Sequence, residues 1–211
     1  KTLKSYETED ISKLMGLSSN LAFLNFERYQ SWKRPTKPSA DARQAVFAFQ
    51  GDVYQGLEAA TFKKGDLKFA QKHLRILSGL YGILKPLDLM APYRLEMGTK
   101  LSTKKHDDLY GFWKDTLTAD INTQLAEQKD STLINLASNE YFNALNKKDI
   151  AGDIVSPVFK DFKNGDYKII SFFAKKARGM MARYIINNKV INPDGLATFN
   201  YGGYKFNAKL S

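Results

Sequence analysis

The stretch VSPVFKDFKNGDYKIISF, residues 155–172, has β-branched and aromatic segments on both sides of Asn164-Gly165. An Asn-Gly pair in this setting favours a two-residue type I′ turn, and therefore a β-hairpin. The next stretch, SFFAKKARGMMARYII (171–186), has helical spacing of its apolar residues, so a hairpin leads directly into a helix. This order is not the regular alternation of strand and helix that builds a parallel sheet. The sequence therefore predicts an α+β fold, an irregular mixed α/β arrangement.

Apolar residues at helical intervals predict further helices over residues 8–30, with a break near Gly16, and over residues 107–128. Asp66 is placed to cap another helix, which we expect to extend over LKFAQKHLRILSGLYGIL (67–84) with interruptions at its glycines. Pro86 cannot continue that helix, because proline lacks the backbone N–H that helices need.

Two short apolar runs predict strands, AVFAF (45–49) and STLINLA (131–137), and GDVYQGLEAATF (51–62) predicts a turn that enters a short helix. No stretch has the composition of a linker. We therefore expect one compact domain over residues 1–211.

The composition excludes several kinds of chemistry. Cysteine is absent, which excludes disulfides, a thiol nucleophile and thiolate metal sites. Only two histidines occur, so we expect no metal site and no cofactor. A formal net charge of +10 favours an anionic partner. There is no apolar run long enough to span a membrane and no signal-peptide pattern, so we expect a cytoplasmic protein without a membrane partner.

The helix predicted over residues 171–186 places its cations on the side opposite its main apolar residues, at about 100° per residue. The small residues Gly179 and Ala182 lie among these cations, and no acidic residue occurs between Asp166 and Asp194. One interpretation is an anion-binding face on which small residues let a phosphate backbone approach. The other is an ordinary lysine-rich surface. The candidate anion-binding residues of this helix are Lys175, Lys176, Arg178 and Arg183.

A second candidate anion site lies in HLRILSGLYGILKPLDLMAPYRLEMGTKL (73–101). Gly79 and Gly82 suggest a tight turn that could expose amide N–H groups to a phosphate. The cations near this turn in the sequence are Arg75, Lys85 and Arg94. The segment loosely resembles a helix-hairpin-helix, although its glycines are separated by two residues rather than one. The alternative is a helix that ends at a glycine and is followed by a loop.

The sequence also suggests a polar site that could serve an enzyme. In NLASNEYF (135–142), a strand is followed by a helix start, where Ser138 and Asn139 amides could bind an anion and Glu140 could act as a general base. The alternative is simple capping of that helix by Ser138. The remaining candidates for this polar site are Asp52, Tyr54, Tyr93 and Glu96.

Taken in order and spacing, five segments resemble the bacterial peroxide stress protein family YaaA: GDVYQGLEA, the stretch 73–101, DLYGFWKD, INLASNEYF and KIISFFAKKARGMMARYII. The resemblance implies a cytoplasmic protein that is induced by hydrogen peroxide and is associated with limiting iron-dependent damage. It also implies a mixed α/β fold with a positively charged cleft, DNA binding and a helix-hairpin-helix-like element, which corresponds to Leu74–Asp88. Members normally begin with a strand and a Ser-Pro-Ala-Lys motif that is absent here, so we expect a chain truncated at both ends relative to the family.

The resulting functional prediction is a monomeric DNA-binding protein of the oxidative stress response. Cations of the segments 171–186 and 73–94 would line one cleft and contact phosphates with weak sequence preference. The alternative is an enzyme that acts on a phosphorylated or carboxylated small molecule in the same basic cleft. We expect no high-affinity iron site, because His73 and His106 are separated by a predicted helix, turn and loop.

Overall fold

The computed structural model describes residues 1–210 and contains both helices and strands, as predicted. The α-helices, in chain order, are α1 (Thr8–Met15), α2 (Ser19–Ser31), α3 (Ala45–Ala48), α4 (Asp52–Leu57), α5 (Lys64–His73), α6 (Leu109–Ala126), α7 (Asn139–Phe142) and α8 (Ser171–Asn188). The strands are β1 (Arg43–Gln44), β2 (Ile76–Ser78), β3 (Gly82–Leu84), β4 (Leu89–Met90), β5 (Thr132–Ile134), β6 (Asp153–Val155), β7 (Asp161–Lys163) and β8 (Asp166–Lys168). Within residues 1–210, no helix is long and apolar enough to cross a membrane.

The fold divides into two compact units. Unit 1 contains Lys1–Ala48, Arg75–Asp120 and Ser138–Asp149, and unit 2 contains Phe49–Leu74, Ile121–Ala137 and the described part of Ile150–Ser211. The expectation of one domain stays a prediction.

In unit 1, α1 and α2 form the helical pair that was predicted over residues 8–30. The Glu7 N–H donates to the Asp10 carboxylate at 3.0 Å, which completes a capping box at the start of α1. Gly16 ends α1 with φ +62°, a conformation that glycine adopts without the steric penalty of a side chain. Ile11 is fully buried beneath this pair.

The helix predicted over residues 67–84 was wrong in its second half. α5 ends at His73, and β2 and β3 then form an antiparallel hairpin that pairs Ile76 with Leu84 and Ser78 with Gly82. This result also corrects the helix-hairpin-helix interpretation of Leu74–Asp88, because a β-hairpin occupies that segment. The Ile, Leu and Tyr residues of the segment suit a strand as well as a helix, and periodicity alone does not separate the two in short apolar runs.

The strand predicted over residues 45–49 was also wrong. β1 stops at Gln44 and pairs antiparallel with β4, and α3 follows immediately. The amides of Ala45 and Val46 donate to the carbonyls of Asp88 and Pro86, at 2.8 and 3.0 Å. The segment 45–49 therefore bonds to the chain before β4 only through its first two residues. A helical turn then follows, which its alanines favour.

The segment 95–101 of unit 1 has a strict alternation of burial. Leu95, Met97, Thr99 and Leu101 are buried, whereas the three residues between them are exposed. The alternation passes through a turn at Met97-Gly98, where the Thr99 N–H donates to the Glu96 carbonyl at 3.1 Å. The exposed positions are Glu96, Gly98 and Lys100.

Unit 2 is built on the close packing of α4 against α8. A Cβ atom added to Gly56 would lie 2.1 Å from the Lys176 carbonyl oxygen, and one added to Gly179 would lie 1.8 Å from the Val53 carbonyl oxygen. Both distances are shorter than any real contact, so only glycine permits this approach of the two backbones. The other side of α8 packs into a core cluster formed by Phe159, Ala177, Met180, Met181, Tyr184 and Phe199.

The predicted hairpin at Asn164-Gly165 is confirmed. β7 and β8 are antiparallel, with Phe162 opposite Tyr167, and the two turn residues have φ values of +56° and +82°. Positive φ at both central residues is the defining feature of a type I′ turn. The strand predicted over residues 131–137 is also confirmed as β5, which pairs in parallel with β6.

Candidate functional site

The helix α8 in unit 2 presents three cations that have no acidic partner among residues 1–210. Lys175 and Lys176 are exposed, and Arg178 is half-buried. The Arg178 Nε atom is buried without a hydrogen-bond partner, and burial lowers the pKa of its guanidinium. A half-buried cation without a compensating carboxylate attracts an anion more strongly than a fully solvated one, because less water screens its charge. These three residues form the first candidate site, which we call the α8 cation site.

Arg183, the fourth predicted cation of this helix, has a structural role. Its guanidinium forms an ion pair with Glu58 at the end of α4 and lies 5.2 Å from the centre of the Tyr201 ring. Its side chain is only 17% exposed. The carboxylate already compensates its charge, so Arg183 is a weaker candidate for an anion ligand than Arg178.

The predicted role of Gly179 and Ala182 was wrong. Both residues are buried, and Gly179 faces the backbone of α4 rather than solvent. The small residues among the cations therefore allow α8 to pack on α4. They do not form a surface on which a phosphate backbone could lie. Sequence reasoning could not distinguish these two reasons for a small residue, because both require the same absence of a side chain.

The glycines of the second candidate anion site are also buried. A Cβ atom on Gly79 would lie 2.3 Å from the Leu95 carbonyl oxygen, and one on Gly82 would lie 2.6 Å from the Trp113 ring. The Tyr81 amide donates to the Ser78 hydroxyl at 3.0 Å, within the same turn. The expectation that this turn exposes amides to a phosphate is therefore corrected: it packs inside unit 1.

The cations near that turn have different environments. Lys85 is exposed and Arg75 is partly exposed. Arg94 donates to the Glu96 carboxylate at 3.0 Å, and both side chains are about half exposed or more. The predicted cleft that combines these residues with α8 stays a prediction, since they belong to unit 1 and α8 belongs to unit 2.

Unit 1 contains a groove of about 280 Å³ that brings together several of the predicted polar residues. The Glu140 carboxylate crosses toward the segment 95–101 and accepts from the Gly98 N–H at 2.9 Å. The residues that line this groove are Leu14, Met15, Arg94, Glu96, Gly98, Thr99 and Glu140. The arrangement offers one guanidinium, two carboxylates and a short apolar wall, which suits a small polar ligand. We call it the unit 1 groove.

Tyrosines around the unit 1 groove are held in their neutral form. Burial raises the pKa of Tyr141 to about 12, with a smaller contribution from the negative charges of Glu140 and Glu96. Burial also raises the pKa of Tyr93, whose hydroxyl lies 2.6 Å from that of Ser78. These phenols can therefore exchange hydrogen bonds at neutral pH but cannot act as bases there.

The other members of the predicted polar site are separated. Ser138 caps α7 by accepting from the Tyr141 N–H at 3.5 Å, which supports the simple capping interpretation, and Asn139 is exposed. Asp52 and Tyr54 lie on α4 in unit 2, where the Tyr54 ring stacks on Phe49 with centres 5.0 Å apart.

Sequence reasoning missed Leu14, Met15, Gly98 and Thr99 as groove residues. For Gly98, the available signal was the alternation of apolar and polar residues in YRLEMGTKL (93–101), which puts it on the same side as Glu96. No comparable signal points to Leu14, Met15 or Thr99. In the described chain, His, Asp and Glu side chains form no group of three that could hold a metal ion.

Comparison with known proteins places the whole described chain in one family. A sequence model of the peroxide stress protein YaaA matches residues 1–210. A UPF0246 protein of Teredinibacter turnerae (strain ATCC 39867 / T7901) is 53% identical over 209 residues, which cover 99% of this chain and 81% of that protein. These two similarities agree with the motifs of the segments 73–101 and 168–186. The chain belongs to the family of the peroxide stress protein YaaA.

Proposed function

We propose that this protein acts in the peroxide stress response by binding the phosphate backbone of DNA through the α8 cation site. The family supports the first half of this proposal, since its members are described as peroxide stress proteins. The observation that supports the second half is the environment of Arg178. It is a half-buried guanidinium without a carboxylate, next to two exposed lysines on a helix that contains no acidic residue.

Backbone binding also fits the charge of the molecule. The net charge of +10 attracts a polyanion from a distance, and the α8 cations then contact individual phosphates. We propose weak sequence preference, because phosphate contacts carry no sequence information by themselves. The association of the family with iron-dependent damage would then be indirect, through shielding of the bound DNA.

Titration of a labelled duplex at three salt concentrations tests this proposal. The logarithm of the affinity should fall linearly with the logarithm of the salt concentration, with a slope of about −0.9 per phosphate contact. The variant K175Q/K176Q should lower the affinity and reduce the magnitude of this slope by about 1 to 2.

The chain offers a matched control in Lys104 and Lys105, a second pair of exposed neighbouring lysines, which lie in unit 1. The variant K104Q/K105Q changes the net charge by the same amount, so it should show only the smaller, long-range effect. Equal effects of the two variants would refute the α8 cation site. Binding that does not weaken with salt would refute backbone binding altogether.

A second candidate function, an enzyme that acts on a small molecule, is supported by the unit 1 groove. Arg94, Glu96 and Glu140 line one concave surface, and a groove with a few convergent polar groups is a typical small-ligand site. A thermal-shift screen with nucleotides, phosphorylated metabolites and amino-group-bearing metabolites tests this alternative, because the groove contains two carboxylates and one guanidinium. A ligand whose stabilising shift disappears in the variants R94Q and E140Q would establish it, and a screen without a shift would argue against it.

A further inference from the structure

The β7–β8 hairpin of unit 2 has an aromatic pair on one face. Phe162 and Tyr167 are directly opposite each other, and their ring centres are 5.3 Å apart in an edge-to-face arrangement. Their residues are 67% and 47% exposed. A cross-strand aromatic pair normally packs on a core, because each ring represents a large apolar area. Here the pair lies in solvent.

The opposite face of the hairpin is the one attached to the body of unit 2. Side chains alternate between the faces of a strand, so Asp161 and Lys163 lie on the face away from Phe162. The Tyr204 hydroxyl donates to the Asp161 carboxylate and lies 2.9 and 3.0 Å from its two oxygens. Tyr204 in turn packs on the core cluster. The hairpin is thus anchored by its polar face and exposes its apolar face.

Further exposed apolar residues follow along the chain, up to the first turn of α8. Ile169, Phe172 and Phe173 are 62%, 54% and 47% exposed, and the last two rings are 5.8 Å apart. The surface is therefore a run of aromatic residues rather than an isolated ring. We call Phe162, Tyr167, Phe172 and Phe173 the aromatic ridge.

The positive charge next to the aromatic ridge favours an anionic partner. Residues 158–176 contain five lysines and two aspartates, and both aspartates accept hydrogen bonds, Asp161 from Tyr204 and Asp166 from the Tyr167 N–H. A second copy of this chain would bring like charges together, whereas a nucleic acid supplies bases for the rings and phosphates for the lysines. Aromatic rings beside a basic surface are the usual means of binding unpaired bases.

We propose that the aromatic ridge stacks on unpaired bases of DNA while the α8 cation site holds the adjacent phosphates. This inference rests on the proposed function and extends it to the structure of the DNA that is bound. Base stacking does not require hydrogen bonds to base edges, so the preference would be for unpaired bases rather than for a sequence.

Three labelled DNA molecules of equal length test the proposal with the full chain: a complete duplex, the same duplex with a central loop of unpaired thymines, and a duplex whose loop carries abasic sugars. The abasic loop preserves charge and flexibility but removes the bases. We expect the thymine loop to bind at least about fivefold more tightly than the abasic loop. A 2-aminopurine placed in the loop should lose fluorescence on binding, which reports stacking without any variant.

The variant F162A/Y167A should reduce the ratio of the two loop affinities to about 1. The variant Y167F keeps the ring and should preserve the ratio, as should F23A, which removes an equally exposed ring from α2 in unit 1. Because both replaced side chains are exposed, the double variant should unfold at the same denaturant concentration as the unaltered protein.

The possible failures are distinguishable. If the unaltered protein binds the complete duplex and both loops equally, the stacking proposal is overturned and the proposed function stands. If it binds none of the three at low salt, both fail. Two further measurements apply if the thymine-loop and abasic-loop affinities are equal. Self-association in sedimentation that F162A/Y167A abolishes would assign the aromatic ridge to a second copy of the chain. Binding to anionic phospholipid vesicles that the same variant abolishes would assign it to a membrane surface.

Discussion

Two arginines of α8, five residues apart, show how far the surroundings decide the role of a side chain. Arg183 is mostly buried, pairs with Glu58 and lies against Tyr201, so removing it would leave a carboxylate without its partner. Arg178 has no such partner, and burial lowers the pKa of its guanidinium. The first residue stabilises the fold, and the second is available to a ligand.

A glycine on the same helix yields the prediction at this scale. Gly179→Ala should destabilise the protein by about 1–3 kcal/mol, even though alanine is favoured over glycine in helices by about 1 kcal/mol. The added Cβ would meet backbone atoms of Val53 and Leu57, which cannot rotate away as a side chain can. Urea unfolding of the purified variant measures the effect.

Gly65 provides the matched control for that measurement. It lies in α5, and a Cβ atom added there would have nothing within 4 Å. Gly65→Ala should therefore be neutral or stabilising by up to about 1 kcal/mol. Equal unfolding midpoints for the two variants would show that the backbones of α4 and α8 are not as close as described.

At the scale of elements, an ion pair links α5 to the residue that follows α8. Lys189, which follows α8 with φ +53°, donates to the Asp66 carboxylate, and its ammonium group lies 5.4 Å from the centre of the Phe69 ring. Asp66 also accepts from the Lys63 N–H at 2.9 Å at the start of α5. The hydrogen bond from Lys189, followed by that from Lys63, lowers the pKa of the Asp66 carboxyl.

This pKa shift predicts how stability depends on pH. A carboxyl with a lowered pKa in the folded state contributes stability above its unfolded pKa of about 3.9, and that contribution is lost as the pH falls through the folded value. Asp66→Asn should therefore unfold at lower urea concentration than the parent at pH 7. The difference between the two should shrink below about pH 4.

Lys189→Gln removes the ion pair together with the other contacts of the ammonium group, with the Phe69 ring and the Ile186 carbonyl, but leaves the hydrogen bond from the Lys63 N–H to Asp66 intact. It should lose part of the stability that D66N loses, with the same dependence on pH. A difference between parent and D66N that stays constant from pH 7 to pH 3 would contradict the assignment.

The elements that were predicted correctly are those specified by neighbouring residues. Asn164-Gly165 fixes its own turn through the φ values that both residues tolerate, and Ser138 caps α7 by reaching a backbone N–H three residues ahead. Such signals need no knowledge of the rest of the fold. The segment 74–88 carries no comparable local signal.

The errors occurred where a distant partner decides the structure. Gly82 pairs with Ser78 across a hairpin and packs on Trp113, and Gly79 packs on the carbonyl of Leu95. The sequence shows that both positions are glycine but not which backbone or ring comes near them. Of the candidate site, the charges of α8 were evident from the sequence, whereas the compensation of Arg183 and the burial of Gly179 were not.

At the scale of the whole molecule, the net charge favours anionic partners over cations. A net charge of +10 attracts nucleic acid and repels free metal ions. The two histidines lie in different units, with His73 stacked on Phe69 at 4.2 Å between ring centres and His106 edge-on to Phe112 at 6.0 Å. The expectation that the chain has no high-affinity iron site stays a prediction.

Calorimetry with iron(II) under anaerobic conditions should accordingly detect no stoichiometric site with a Kd of about 1 μM or tighter. The matched titration with DNA in the same cell should give heat, which shows that the protein is active in the assay. A tight iron site that disappears in the variant H73A/H106A would contradict this prediction.

The contact between Gly179 and α4 also fixes the rotation of α8 about its own axis. One residue corresponds to about 100° of turn, so a helix shifted by one position would present Arg178 or Met180 to the carbonyl of Val53. Neither side chain fits where even a methyl group does not. A one-residue insertion or deletion between Lys176 and Gly179 would therefore leave the glycine in place and turn Lys175 and Phe172 to new directions. The directions of Lys175 and Phe172 thus depend on the number of residues that separate each of them from Gly179.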